Sequence, residues 1–133
     1  VESNLEPSKF SKAVGVFPRT LELLENHGIS EEMVRCGVRV RGINIYADQR
    51  RLAHIDTSLI ESRYNFVLLL EQSETERILI GRLDQLGVQV QWGTRLTGLE
   101  NQPHHVAVKL ERQGQPQETS TFEWVVGCDG ARS

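Results

Sequence analysis

Residues 124–133 have the sequence WVVGCDGARS, in which a short apolar run is followed by an acid between two glycines. The run Trp124, Val125 and Val126 predicts a strand that is buried on both faces, as in a parallel sheet. Ligands of open α/β sheets bind just beyond the carboxyl ends of such strands. Asp129 would accept hydrogen bonds from a sugar hydroxyl there. An ordinary glycine turn explains the same residues, because short motifs often match by chance.

Composition excludes several classes of protein. The chain has 133 residues, of which 38% are hydrophobic and 25% charged, as in one folded domain. The net charge of -3 argues against a nucleic-acid partner, which needs a basic face. No apolar run reaches the roughly 18 residues of a membrane helix, so we expect no membrane partner. Cys36 and Cys128 lack metal-ligand spacing, which predicts no metal site and two reduced thiols in a cytoplasmic protein.

Turn and cap residues divide the first half of the chain. Pro18 predicts the start of a helix, and Ser30 predicts the N-cap of a second helix that ends at Gly37. From residue 38 the apolar residues recur with a period of two, which predicts strands. The parity changes at Gly42, which indicates a β-bulge. Residues 48–50 predict the turn into a return strand.

The second half begins with an apolar strand predicted over residues 66–70. A helix follows, with Ser73 and Glu76 as its capping box and Gly87 as its end. Alternating residues predict further strands over 88–92, 95–99, 106–110 and 119–122, of which the last three are antiparallel. These patterns predict an α/β fold with a parallel sheet and a mostly antiparallel insertion.

Several separated stretches together resemble FAD-dependent monooxygenases of the aromatic hydroxylase type, the family of p-hydroxybenzoate, phenol and polyketide hydroxylases. They are Val1-Glu2, residues 11–15 and 18–24, Gln72 with Thr75-Glu76, and the Asp-Gly pair at 129–130. The resemblance implies part of a FAD/NAD(P)-binding, Rossmann-like α/β domain with an antiparallel β insertion that contributes to a substrate-domain sheet. It assigns residues 1–37 and 71–133 to the FAD-binding domain and residues 38–70 to a β-rich segment of the substrate domain.

The resemblance also implies cofactor-binding residues. It places Glu2 at the adenosine ribose, Gln72 at the ribityl and diphosphate region, and Asp129 with Gly130 at a site linked to both FAD and NAD(P)H. Lys12 would face the diphosphate, although the family usually has Arg there and Lys lacks the planar fork of Arg. Without the resemblance, ordinary surface and turn roles would explain each residue. No catalytic side chain is assigned, because the flavin carries the chemistry.

The activity implied is the hydroxylation of a small aromatic or polyketide-like molecule, with FAD as cofactor and NAD(P)H as reductant. The family's glycine-rich loop would precede Val1 and its second flavin-binding motif, Gly-Asp, would follow Ser133. We therefore expect the 133-residue chain by itself to bind no FAD and to be inactive. Two alternatives remain open: a folded, non-catalytic fragment without FAD, or a related flavin oxidoreductase or halogenase.

Overall fold

Three α-helices and eight β-strands form the part of the chain that the computed structural model describes, residues 1–9 and 14–130. The chain divides into two structural units, Pro7–Gln89 and Val1–Glu6 with the described part of Val90–Ser133. The helices are α1 (Pro18–Glu25), α2 (Ser30–Cys36) and α3 (Gln72–Gln85). The strands are β1 (Gly15–Val16), β2 (Val38–Val40), β3 (Gly42–Ala47), β4 (Arg50–Asp56), β5 (Val67–Leu69), β6 (Thr94–Asn101), β7 (Val106–Arg112) and β8 (Glu118–Phe122).

The predicted α/β class is confirmed, but the predicted parallel pairing is wrong for the described residues. The strands form three sheets, with the orders β1-β5-β2, β3-β4 and β6-β7-β8. Every strand pair in these sheets is antiparallel. The antiparallel part of the prediction therefore accounts for all of the strand pairing in residues 1–9 and 14–130.

The core of Pro7–Gln89 lies where the three helices meet strand β5. Leu21 of α1, Met33 of α2 and Leu68 of β5 are each 0% exposed, and Ile78 of α3 is 3% exposed. Complete burial of such a side chain contributes about 1.5–3 kcal/mol. The strand predicted over residues 66–70 is confirmed, because β5 pairs with β1 and with β2. This strand lies at the centre of the core.

Tertiary packing changes the predicted start of α2. Helix α1 begins at Pro18 as predicted, but Ser30 is not the N-cap of α2, because Ile29 takes that position. The hydroxyl of Ser30 is buried and donates to the carbonyl oxygen of Leu21 at 2.5 Å. Ser30 thus ties α2 to α1, since a buried hydroxyl must find an acceptor wherever the fold offers one.

The glycine at the end of α2 is required by close packing. Gly37 is the C-cap, as predicted. A Cβ at this position would lie 2.7 Å from Cδ1 of Leu68 and 2.9 Å from the carbonyl oxygen of Leu69. Strand β5 therefore approaches the end of α2 too closely for any side chain there.

The predicted β-bulge at Gly42 is wrong, because the parity change marks a change of sheet. Strand β2 ends before this glycine and pairs with β5, whereas β3 begins at it and pairs with β4. The register shift lies instead between Ile45 and Tyr46. The predicted turn is confirmed, and Asp48 and Gln49 have φ values of 47° and 65°. Two positive φ angles suit the tight turn between twisted antiparallel strands.

The second unit contains the sheet β6-β7-β8, in which Val108 and Leu110 are buried. Its three predicted antiparallel strands are confirmed. The strands predicted over 88–92 and 124–126 are wrong, since both segments are irregular. Trp124 and Val126 are 84% and 81% exposed. A strand needs a neighbour to bond its N–H and C=O groups, and within the described residues neither segment lies in a sheet.

Candidate cofactor site

The backbone of Glu2 is bonded to the segment that leads into β6. Its N–H donates to the carbonyl oxygen of Gln91 at 3.0 Å, and its carbonyl oxygen accepts from the N–H of Thr94 at 2.9 Å. Two residues on, the carbonyl oxygen of Asn4 accepts from the N–H of Gly93 at 2.7 Å. These three bonds hold the first residues of the chain in place although no strand is formed there.

The carboxylate of Glu2 is oriented by its sequence neighbours. Its Oε1 accepts from the N–H of Asn4 at 2.8 Å and from the hydroxyl of Ser3 at 3.2 Å. The side chain is half-buried. A carboxylate has about four lone-pair sites, so acceptor capacity remains for a ligand hydroxyl. Sequence reasoning missed the orienting role of Ser3 and Asn4, which their tendency to bond locally could have indicated.

Asp129 lies in an open, irregular segment. Its side chain is exposed, and the end of a parallel strand that was predicted for it is not formed in the described residues. Gly130 has a φ of 81°, a left-handed conformation that favours glycine. A Cβ at Gly127 or Gly130 would meet no heavy atom within 4 Å. The space beside the backbone at Gly127 and Gly130 is thus open, and the role of Asp129 at a cofactor stays a prediction.

Gln72 is the first residue of helix α3. The predicted capping box is wrong: Glu71 is the N-cap without a side-chain cap bond, and Ser73 lies one residue inside the helix. The Nε2 of Gln72 donates to Oε1 of Glu76 at 2.8 Å, an i,i+4 pair on the helix surface. Gln72 is half-buried at a helix N-terminus, where backbone N–H groups favour anions.

The predicted residues fall in both units of the chain. Glu2, Asp129 and Gly130 belong to the unit that contains β6, β7 and β8, whereas Gln72 belongs to Pro7–Gln89. Lys12 lies outside the described residues. The roles predicted for these five residues therefore stay predictions.

The chemistry of the described donors and acceptors fits the hydroxyl-bearing parts of FAD. The carboxylates of Glu2 and Asp129 suit ribose or ribityl hydroxyls, since a carboxylate accepts charge-assisted hydrogen bonds and repels a diphosphate. The amide of Gln72 donates and accepts at once, so it suits either a hydroxyl or a phosphate oxygen. The open backbone at Gly127 and Gly130 accommodates a bulky ligand.

Other kinds of site were sought in the same residues. Among residues 1–9 and 14–130, no group of three or more His, Cys, Asp or Glu side chains has the geometry to hold a metal ion. No helix in this part of the chain has the length and apolar character needed to span a bilayer. Cys36 and Cys128 are exposed free thiols.

Sequence reasoning also missed a cleft beside α2. It is lined by Arg35, Arg39, Arg63, Tyr64 and Phe66. The run Ser62-Arg63-Tyr64 supplies two of the lining residues, Arg63 and Tyr64. The arginines of α2 and β2 join it only in the folded chain.

The FAD binding domain family matches residues 1–133. The chain is 36% identical over 129 residues to 6-methylpretetramide 4-monooxygenase from Streptomyces rimosus, covering 96% of this chain and 23% of that enzyme. It is 31% identical over 125 residues to pentachlorophenol 4-monooxygenase from Sphingobium chlorophenolicum, covering 92% of this chain and 23% of that enzyme.

A solved structure shows the same fold. Anhydrotetracycline hydroxylase from Streptomyces rimosus aligns with a TM-score of 0.86 at 32% identity, over 98% of this chain and 26% of that one. This chain thus spans about a quarter of the length of the relatives it matches. The family match runs over every residue. The chain therefore belongs to the FAD binding domain family that these monooxygenases share.

Proposed function

We propose that this chain is part of an FAD-dependent monooxygenase that hydroxylates an aromatic or polyketide-like small molecule with NAD(P)H and O₂. The observation that carries the proposal is identity of 31–36% to relatives named as monooxygenases of a pretetramide and of a chlorinated phenol. The overall reaction converts substrate, NAD(P)H, a proton and O₂ into hydroxylated substrate, NAD(P)⁺ and water. One oxygen atom enters the new C–O bond, and the other leaves as water.

The chain's part in this reaction is to bind and orient the flavin. We assign the adenosine ribose to Glu2, because its carboxylate is already oriented by the Asn4 N–H. We assign the ribityl and diphosphate region to Gln72, a second cofactor hydroxyl to Asp129 with Gly130, and the diphosphate charge to Lys12. FAD bound in this way supplies the redox chemistry, so none of these side chains needs to act as a nucleophile.

We further assign residues 1–37 and 71–133 to the FAD-binding domain of the whole protein and residues 38–70 to its substrate domain. The hairpin β3-β4 supports a separate role for residues 42–56 of this segment, because it forms a sheet of its own, whereas β2 and β5 pair in the sheet that contains β1. Several of its apolar side chains are exposed, among them Ile45, Leu52 and Ile55 at 44%, 60% and 47%. The two free thiols support a cytoplasmic location.

Turnover by the full-length protein tests the proposal. The purified protein is scanned for flavin absorbance and then mixed with NADH or NADPH and a panel of phenols and polycyclic aromatic ketones. We expect substrate-stimulated NAD(P)H oxidation and a product that gains one oxygen atom from isotopically labelled O₂. A halogenated product in the presence of chloride would favour the halogenase alternative, and flavin-free protein without turnover would favour the non-catalytic one.

A further inference from the structure

An open cleft of about 500 Å³ lies between α2, strand β2 and the segment that precedes β5. Its walls carry three guanidinium groups, those of Arg35, Arg39 and Arg63. Tyr64 and Phe66 lie among them and are 5% and 4% exposed. All of these residues belong to the single unit Pro7–Gln89.

The aromatic rings restrict two of the three guanidinium groups. The Cζ atom of Arg39 lies 5.2 Å from the centre of the Phe66 ring, and that of Arg63 lies 5.7 Å from the centre of the Tyr64 ring. Both distances are within the range of cation–π contacts. A guanidinium held over a ring loses little further freedom when its N–H groups bind a ligand. The cleft is therefore partly preorganised for a hydrogen-bond acceptor.

The charges in the cleft are not balanced. Arg63 is paired with Glu25 and also lies 3.8 Å from Glu31, the one acidic residue in the lining. Within residues 1–9 and 14–130, Arg35 and Arg39 have no carboxylate within 4.0 Å. The lining thus has a formal charge of +2 from three arginines and one glutamate, although the whole chain has a charge of -3. Glu25 lies outside the lining but pairs with Arg63, so the three arginines exceed their two acidic neighbours by one charge, and the cleft favours an anion.

Tyr64 contributes a donor without an acceptor. Its hydroxyl oxygen is buried, and among the described residues it has no hydrogen-bond partner. Buried polar atoms are nearly always paired, so an unpaired one calls for an explanation. This oxygen is closed off from the cleft, so in this conformation only the ring side of Tyr64 faces a ligand bound there.

We propose that this cleft binds a phosphate group, with Arg35 and Arg39 as the charged donors. Arg63, which is already paired with Glu25, forms a wall of the cleft over the Tyr64 ring. Guanidinium groups match phosphate oxygens in bidentate geometry. The group comes either from free inorganic phosphate or from a nucleotide. This site is independent of the proposed monooxygenase function, since binding is measured without substrate or reductant.

The test is a titration followed by the linewidth of the phosphorus NMR signal. Inorganic phosphate is titrated against the full-length protein at pH 7.5 and constant ionic strength, and adenosine monophosphate is titrated in a second series. The variants are Arg39→Gln, Arg35→Gln and Tyr64→Phe. Arg50→Gln is the matched control, because Arg50 is an exposed arginine of the β4 strand and does not line the cleft. Thermal unfolding of each variant checks that it folds.

We expect wild type, Arg50→Gln and Tyr64→Phe to bind phosphate equally, because the Tyr64 hydroxyl is closed off from the cleft. Arg39→Gln and Arg35→Gln should bind it about tenfold more weakly, as for the loss of a hydrogen bond to a charged group. If Arg39→Gln does not fold, Arg35→Gln takes its place. Tighter binding of adenosine monophosphate than of phosphate would identify a nucleotide as the ligand, and equal binding would identify free phosphate. Absence of phosphate binding, or an equal effect of Arg50→Gln and Arg39→Gln, would overturn the proposal.

Discussion

Two substitutions at Glu2 separate its local role from its proposed role at the cofactor. The Oε1 atom of Glu2 accepts from the N–H of Asn4 at 2.8 Å, and this bond orients the side chain. Glu2→Gln keeps an oxygen for this bond and removes the charge. Glu2→Ala removes both the local acceptor and the proposed acceptor for the ribose hydroxyls.

The expected magnitudes follow from this arrangement. A hydrogen bond to a charged group contributes about 1.5–3 kcal/mol, so Glu2→Ala should weaken FAD binding by about this amount. That energy corresponds to roughly a tenfold to hundredfold increase in Kd. Glu2→Gln retains a neutral acceptor and should cost about 1 kcal/mol. Only the alanine variant should also lose stability without FAD, because only it leaves the Asn4 N–H without its acceptor.

FAD titration into the apo form of the full-length protein, followed by quenching of flavin fluorescence, measures the affinity. Thermal unfolding of the same apo variants measures the local contribution. Unchanged FAD affinity in Glu2→Ala would refute the assignment of this carboxylate to the ribose. If Glu2→Gln binds FAD as tightly as wild type, and Glu2→Ala loses as much apo stability as FAD-binding energy, then Glu2 has only the local role.

Three further predictions concern helix packing, titration and the Asp-Gly motif. Gly81→Ala should stabilise the protein by about 1 kcal/mol in urea denaturation, because Gly81 lies inside α3 and a Cβ there meets no heavy atom within 4 Å. Gly37→Ala should destabilise it by about 1–3 kcal/mol through overpacking against β5. Equal effects of the two substitutions would contradict this reasoning. The hydroxyl and the N–H of Ser58 donate to Oδ1 of Asp56 and lower the pKa of that carboxyl. The stability gained is therefore present above the ordinary pKa of Asp and is lost as the pH falls through the lowered pKa. Ser58→Ala should raise the pKa of Asp56 in an NMR titration, and an unchanged pKa would exclude this cause. Asp129→Ala should lower both FAD affinity and the rate of flavin reduction by NAD(P)H in stopped-flow measurements. Asp129→Asn should have smaller effects on both. Lower thermal stability with an unchanged rate of flavin reduction would instead indicate that Asp129 only caps a turn.

The features that sequence patterns predicted correctly have a local signal in the sequence, even where distant residues give the physical reason. Pro18 starts a helix because its φ is already helical, and Gly37 ends one at a position where no Cβ fits. The apolar run over 66–70 forms a central buried strand because helices α1, α2 and α3 cover it. Gly130 of the Asp-Gly motif has a left-handed φ, which favours glycine, whereas the cofactor role of the motif stays a prediction.

The features that required the tertiary structure depend on residues far apart in the chain. Ser30 bonds Leu21 in another helix instead of capping its own. Trp124 to Val126 has a strand's composition, yet it lies in no sheet of the described residues, because strand formation needs a neighbour for its backbone groups. The arginine cleft is assembled from α2, β2 and the segment before β5. Residue type and spacing therefore determined where the helices and the paired strands lie, whereas the fold decided which apolar runs became strands and which hydrogen-bond partners they found, because those partners come from distant parts of the chain.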